Sequence, residues 1–114
     1  MATYNGWTNH ETWRVNLEGG FTHLDLSDLL AVTTAQTLHQ ATKEVAVAIK
    51  DIAYDMVDDE CPEPRSGYSF TRSMAWAFLQ DVNWYEIAEH LIDDNADELP
   101  EHLAAEYHAA RQVA

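Results

Sequence analysis

The chain is poor in the residues that hold small domains together covalently or build sharp backbone cradles. It has one cysteine, Cys61, four glycines and three prolines in 114 residues. A single cysteine excludes an internal disulfide framework and fits a reducing compartment. Four glycines leave little material for a phosphate-cradling loop, and neither a P-loop nor a Gly-x-Ser-x-Gly turn occurs. Basic residues are also scarce, at six against 20 acids, a net charge of −14. A phosphate-binding surface needs clustered Lys and Arg, so direct binding of DNA or RNA is not expected. An anionic membrane surface would repel the chain as well. No apolar run approaches the ~18 residues of a membrane span, and no basic, apolar signal opens the chain.

What is present is apolar and aromatic. Hydrophobic residues make up 46% of the chain, with four tryptophans and five tyrosines. That composition argues for one folded domain over residues 1–114 and against a disordered acidic tail. Strand-like alternation is missing, and helical periodicity runs through most of the sequence. The expected fold is all-α: a compact bundle of about five helices with one long central helix.

The densest stretch is Thr3–Gly20, TYNGWTNHETWRVNLEGG. Asn5-Gly6 is a turn dipeptide. Thr8 with Glu11 has capping-box spacing, and Asn9 is the competing N-cap. Trp7 is placed to pack on Thr12 or Trp13 as a hydrophobic staple. Trp13 and Leu17 share a face expected to anchor the core. Gly19-Gly20 stops the helix.

Phe21–Asp25 reads as a connector. Asp25 or Ser27 can cap a short helix through Leu29, Leu30 and Val32, with a break at Thr33-Thr34. From Thr34 to Glu60, Leu38, Ala41, Val45, Ala48, Ile49, Ile52 and Met56 recur at three and four residues. This uninterrupted helix is the expected spine. Cys61–Gly67 is a loop marked by Pro62 and Pro64. Ser69 caps a helix through Val82 whose Phe70, Met74, Ala77 and Phe78, widened by Trp76 and Leu79, suggest a central place in the core. Asn83 caps the next helix with Glu86 as capping-box partner, and Pro100 suits the first turn of a last one.

The segment YNGWTNHETWRVNL resembles the opening of a family of short proteins found widely in phages, plasmids and their hosts. NWYEIAEHLIDD, from Asn83, resembles that family's second block. The resemblance implies a helical fold and a mobile-element setting. It transfers no catalytic residue, because the family has no assigned activity.

Metal chemistry finds no pattern. His10-Glu11 opens like a zinc-protease helix but lacks the second histidine. Glu86 and His90 are one residue too far apart for a di-iron Glu-x-x-His pair, and Cys61 has no partner at zinc spacing. Cys61 sits beside Asp58, Asp59 and Glu60, which disfavour a thiolate. No catalytic residue, metal ligand or cofactor is therefore assigned, and the chain is expected not to be an enzyme.

The charge distribution carries the functional expectation. Asp51, Asp55, Asp58 and Asp59 fall on one face of the long helix, and Glu60 adjoins them. Asp93, Asp94, Asp97 and Glu98 form a second acidic run. Acids at a helix C-terminus oppose its dipole by ~0.3–1 kcal/mol each. Retaining them suggests a basic partner, against the alternatives of solubility, cation binding or halophilic adaptation. The expected function is inhibition of a nucleic-acid-binding defence protein of the host, in its cytoplasm, by an acidic helical face that imitates a phosphate row. The alternative is a non-catalytic adaptor that binds a protein through Asn5, Trp7, Asn9, His10 and Arg14. An exposed tryptophan surface would also favour a homodimer.

Overall fold

The computed structural model describes residues 4–61 and 69–113. Among them are six α-helices and no β-strand: α1 (His10–Gly19), α2 (Leu26–Leu29), α3 (Leu38–Glu60), α4 (Phe70–Leu79), α5 (Trp84–Asp94) and α6 (Glu101–Val113). Short 3-10 turns at Phe21–His23 and Ala96–Glu98 link α1 to α2 and α5 to α6. The all-α expectation holds, and α3, at 23 residues, is the long helix. The loop expected over Cys61–Gly67 lies, beyond Cys61, outside the described residues.

Side chains start these helices where short polar residues allow it. Asp25, Thr37, Ser69 and Asn83 each accept a backbone N–H three residues on, which satisfies a donor the helix itself leaves open. The long helix, expected from Thr34, thus begins at Leu38, the first residue of its apolar spacing, with Thr37 as its cap. The preceding helix stops at Leu29, and Val32 is left 92% exposed. Pro100 stands just ahead of α6, its carbonyl accepting from the N–H groups of Leu103 and Ala104. At Asp25 the Ser27 hydroxyl, then the Asp28 N–H, hold the carboxyl below its ordinary range. With a depressed folded value, this cap's contribution is present above the ordinary carboxylate pKa and is lost as pH falls through the folded one.

The core sits between α3 and α5, the most extensively paired helices. Val45 and Ile49 of α3 and Ile87 and Leu91 of α5 are fully buried, joined by Leu26 and Leu103. Each such side chain contributes about 1.5–3 kcal/mol. A pair of them outweighs the dipole penalty of the acids at the end of α3, so the long helix tolerates its acidic end.

Two expectations about burial fail. The first helix does not anchor the fold through Trp13 and Leu17. Its one buried residue is Thr12, and Leu17 is exposed. The fourth helix is not central either. Only Leu79 of α4 is buried, whereas Phe70, Met74 and Phe78 are exposed. Apolar residues recur on both sides of this helix, so periodicity alone does not choose between them. Arg72 makes the choice: it bonds Asp58 of α3 at 2.9 Å and lies 4.5 Å over the Trp76 ring, which turns the opposite side outward.

The end of α1 depends on glycine twice. Gly20 takes the left-handed conformation at φ 63°, and its N–H returns to the Asn16 carbonyl. Gly19 is helical, but a Cβ there would lie 2.2 Å from the ring of Phe21, which is almost completely buried. Helix propensity favours Gly19→Ala by about 1 kcal/mol, yet the added methyl would force the Phe21 ring out of its packed position. We expect Gly19→Ala to lower stability by about 1–3 kcal/mol, read by urea unfolding followed through tryptophan fluorescence. A stabilised variant would show that Phe21 does not seat against this backbone.

Candidate partner-binding surfaces

The N-terminal motif begins with a tight turn. Tyr4 and Trp7 exchange backbone hydrogen bonds at 2.8 Å across Asn5 and Gly6, both of positive φ. Trp7 then stacks on His90 of α5, with ring centroids 4.1 Å apart. Its ring partner is thus His90 rather than Trp13, whose ring meets Tyr4 and His10 instead.

Behind this turn, the caps of α1 and α5 are crossed. Asn9 is the N-cap of α1, its Oδ1 accepting from the Thr12 N–H at 2.8 Å. Asn83 caps α5 by accepting from the Glu86 N–H. In an ordinary capping box the third helical residue reaches back to its own cap. Here each reaches to the other helix. Glu86 Oε1 accepts the Thr8 N–H at 2.8 Å, and Thr12 Oγ1 accepts the Asn83 N–H at 2.8 Å. Two further bonds close the lattice: Asn83 Nδ2 donates to Thr8 Oγ1, and Asn9 Nδ2 donates to the Asp81 carbonyl. The Thr12 hydroxyl donates to Asn9 Oδ1 at 2.6 Å, so one buried threonine serves both helix starts.

This arrangement corrects the capping expectation and narrows the adaptor site. Asn9, not Thr8 with Glu11, caps the first helix. Trp7 and Asn9 are occupied by the fold. Asn5 is exposed in the turn, His10 touches the Tyr4 and Trp13 rings, and Arg14 pairs with Glu18 at 3.1 Å one turn on. The five residues of the expected adaptor site do not converge on one cleft.

The acids fall into two separate groups. Asp51, Asp55 and Asp59 lie one turn apart on α3, all exposed, with no hydrogen-bond or ion-pair partner among the described residues. Asp58 is tied to Arg72, and Glu60 is exposed at the helix end. The second group is partly consumed. Asp93 accepts from the Tyr107 hydroxyl at 3.0 Å and pairs with Arg111. The Tyr107 side chain beside Arg111, and then Asp93, hold the guanidinium pKa above its usual value. Glu98 accepts the Ser27 N–H, while Asp94 and Asp97 remain exposed. Asp93 shares a groove with Leu38 and Thr42 at the start of α3. At 1.5 Å per residue, Asp55 and Asp59 lie about 20–30 Å further along that helix. The nine acids therefore do not form one continuous face.

A model of a family of unknown function, DUF7249, matches residues 1–107. The chain belongs to this family. The match spans both sequence blocks, and in the fold those blocks are the two partners of the crossed caps. No curated protein and no solved structure matches the chain. Among the described residues no group of three or more His, Cys, Asp or Glu side chains is gathered as a metal site would need. None of the helices there is long and apolar enough to cross a membrane.

Sequence reasoning missed Thr12 as the hub and His90 as the seat of Trp7. The only available signal was a threonine three residues after an N-cap asparagine, which reads as an ordinary helical position. Removing the hub tests the lattice. Thr12→Val keeps the shape but leaves the Asn83 N–H without its acceptor, and should cost about 1–3 kcal/mol in urea unfolding. Near-neutral stability would mean the crossed caps are incidental to the fold.

Proposed function

We propose that this member of DUF7249 is a non-catalytic protein that binds a basic, nucleic-acid-binding protein through the exposed acidic row of α3, and so competes with nucleic acid for that surface. The observation that carries this reading is the row Asp51, Asp55 and Asp59, one turn apart on a rigid 23-residue helix and unpartnered among the described residues. The described arginines are engaged elsewhere, Arg14 with Glu18, Arg72 with Asp58 and Arg111 with Asp93. The negative potential of the row is thus left to act outward. Carboxylates every ~5.4 Å follow a phosphate row only loosely, since one DNA strand presents a charge every ~3.4 Å. The match is one of sign and direction more than of register.

The α5–α6 acids support the reading less, because Asp93 and Glu98 are already satisfied within the fold. Such an inhibitor would act in a host cytoplasm, the setting that the resemblance to mobile-element proteins suggests, where restriction or CRISPR effectors present basic grooves. This setting is an analogy. It supplies the class of partner and no contact residue.

The test is capture of partners from the host at low and at high ionic strength, followed by calorimetry on the captured protein. Binding through the row should fall steeply with salt. Reversing Asp51, Asp55 and Asp59 to lysine should weaken it by about a hundredfold or more, at ~1 kcal/mol for each charge, with helicity retained. Asp58 is left alone, because its loss would also release Arg72. Unchanged affinity in the triple variant would remove the row from the function.

A further inference from the structure

The outward side of α4 is a feature of the fold that the acidic row does not use. Phe70, Met74 and Phe78 repeat at four-residue spacing and are 67%, 48% and 36% exposed. The helix lies against α3 on its other side, where Arg72 bonds Asp58 and Leu79 is buried near Ala53 and Val57. At the C-terminal end the stripe continues onto α1. Phe78 meets the His10 ring edge-on, with centroids 6.3 Å apart, and Tyr4 and Trp13 pack beside His10 at 4.9 and 5.7 Å. A continuous exposed surface of this kind marks an interaction site, unlike apolar residues scattered singly.

Charge selects the occupant. Residues 64–80 contain none of the chain's 20 acids. A basic partner would gain nothing there. The acid that reaches this helix, Asp58, meets Arg72, two residues from both Phe70 and Met74 and so across the helix from the stripe. A second copy of the chain has the opposite need. Two molecules of charge −14 repel, and they approach at least cost where each presents few carboxylates; on this face α4 has none, and Glu11, 3.6 Å from His10, stands at the α1 end. Self-association most often uses one patch on both copies about a two-fold axis. An antiparallel pairing about Met74 would set Phe70 of one copy against Phe78 of the other. It would also bring Asp81, just beyond the end of α4, toward the positive end of the opposing helix.

We propose that the outward face of α4, with the Tyr4, His10 and Trp13 cluster at its end, is the contact between two copies of this chain. The pairing is apolar and is opposed by the net charge. Raising the ionic strength therefore leaves it intact or strengthens it. This is the reverse of the salt response expected of the acidic row, so the two readings stand or fall separately.

Sedimentation equilibrium of the full chain over roughly 1–300 µM, the range in which a modest interface dissociates, tests the proposal. The wild type should approach twice the 12.9 kDa chain mass, more readily at high salt. Phe70→Glu with Met74→Glu places charge on solvent-facing positions. It should raise the dissociation constant about tenfold or more, with unchanged helicity by circular dichroism. Val32→Glu, at a position 92% exposed outside this face, should leave the dimer intact. A wild type that stays monomeric throughout, or a double variant that pairs as well as the wild type, overturns the proposal. So does a dimer that dissociates as salt rises.

Discussion

Two helix starts that satisfy each other hold this fold in register. The beginnings of α1 and α5 lie next to one another, and each would ordinarily leave backbone donors to water or to its own side chains. Here the donors are exchanged. Thr12 receives the Asn83 N–H and Glu86 receives the Thr8 N–H. Because the bonds converge on a fully buried threonine, loss of one partner leaves a desolvated polar group rather than a solvated one. That asymmetry explains how segments more than 70 residues apart can be fixed by a few polar contacts. It also fixes the place of the turn ahead of α1, so that Trp7 finds His90.

The rest of the architecture follows from what α5 does after that junction. Its apolar face, with Ile87 and Leu91 fully buried, lies along α3 and closes the core. The long helix is thereby committed on one side and bare on the other. Asp51, Asp55 and Asp59 lie on the bare side, where their mutual repulsion is screened by water and costs less than burial returns. α4 is held more lightly, by one buried leucine and the Arg72 clamp, and it keeps most of its hydrophobic surface outside.

The molecule consequently presents two surfaces of opposite character. One is a rigid, acidic row on α3. The other is an acid-free aromatic and methionine face on α4, bordered by the start of α1. They belong to different helices, and on α4 Arg72 turns toward Asp58 of α3 while the stripe turns away. A protein that pairs through the second surface can still offer the first. Self-association and recognition of a basic partner are therefore compatible in geometry, and they respond oppositely to ionic strength.

Periodicity and short polar residues sufficed for the helical class, the long third helix, the glycine stop at Gly20 and the caps at Asn83, Ser69 and Asp25, because these depend on neighbours within one turn. The acidic row on α3 was legible for the same reason: spacing on a helix fixes which residues share a side. Spacing does not say which side faces the core. Phe70, Met74 and Phe78 read as buried until α3 engaged Arg72 and Leu79 instead, and Trp13 with Leu17 yielded the inner face of α1 to Thr12. Nor does spacing reveal a hydrogen bond across 71 residues, such as that from the Asn83 N–H to Thr12. Local sequence settles conformation through contacts a few residues apart. Burial, ion pairing and the crossing of the two caps are decided only when distant segments compete for the same small interior.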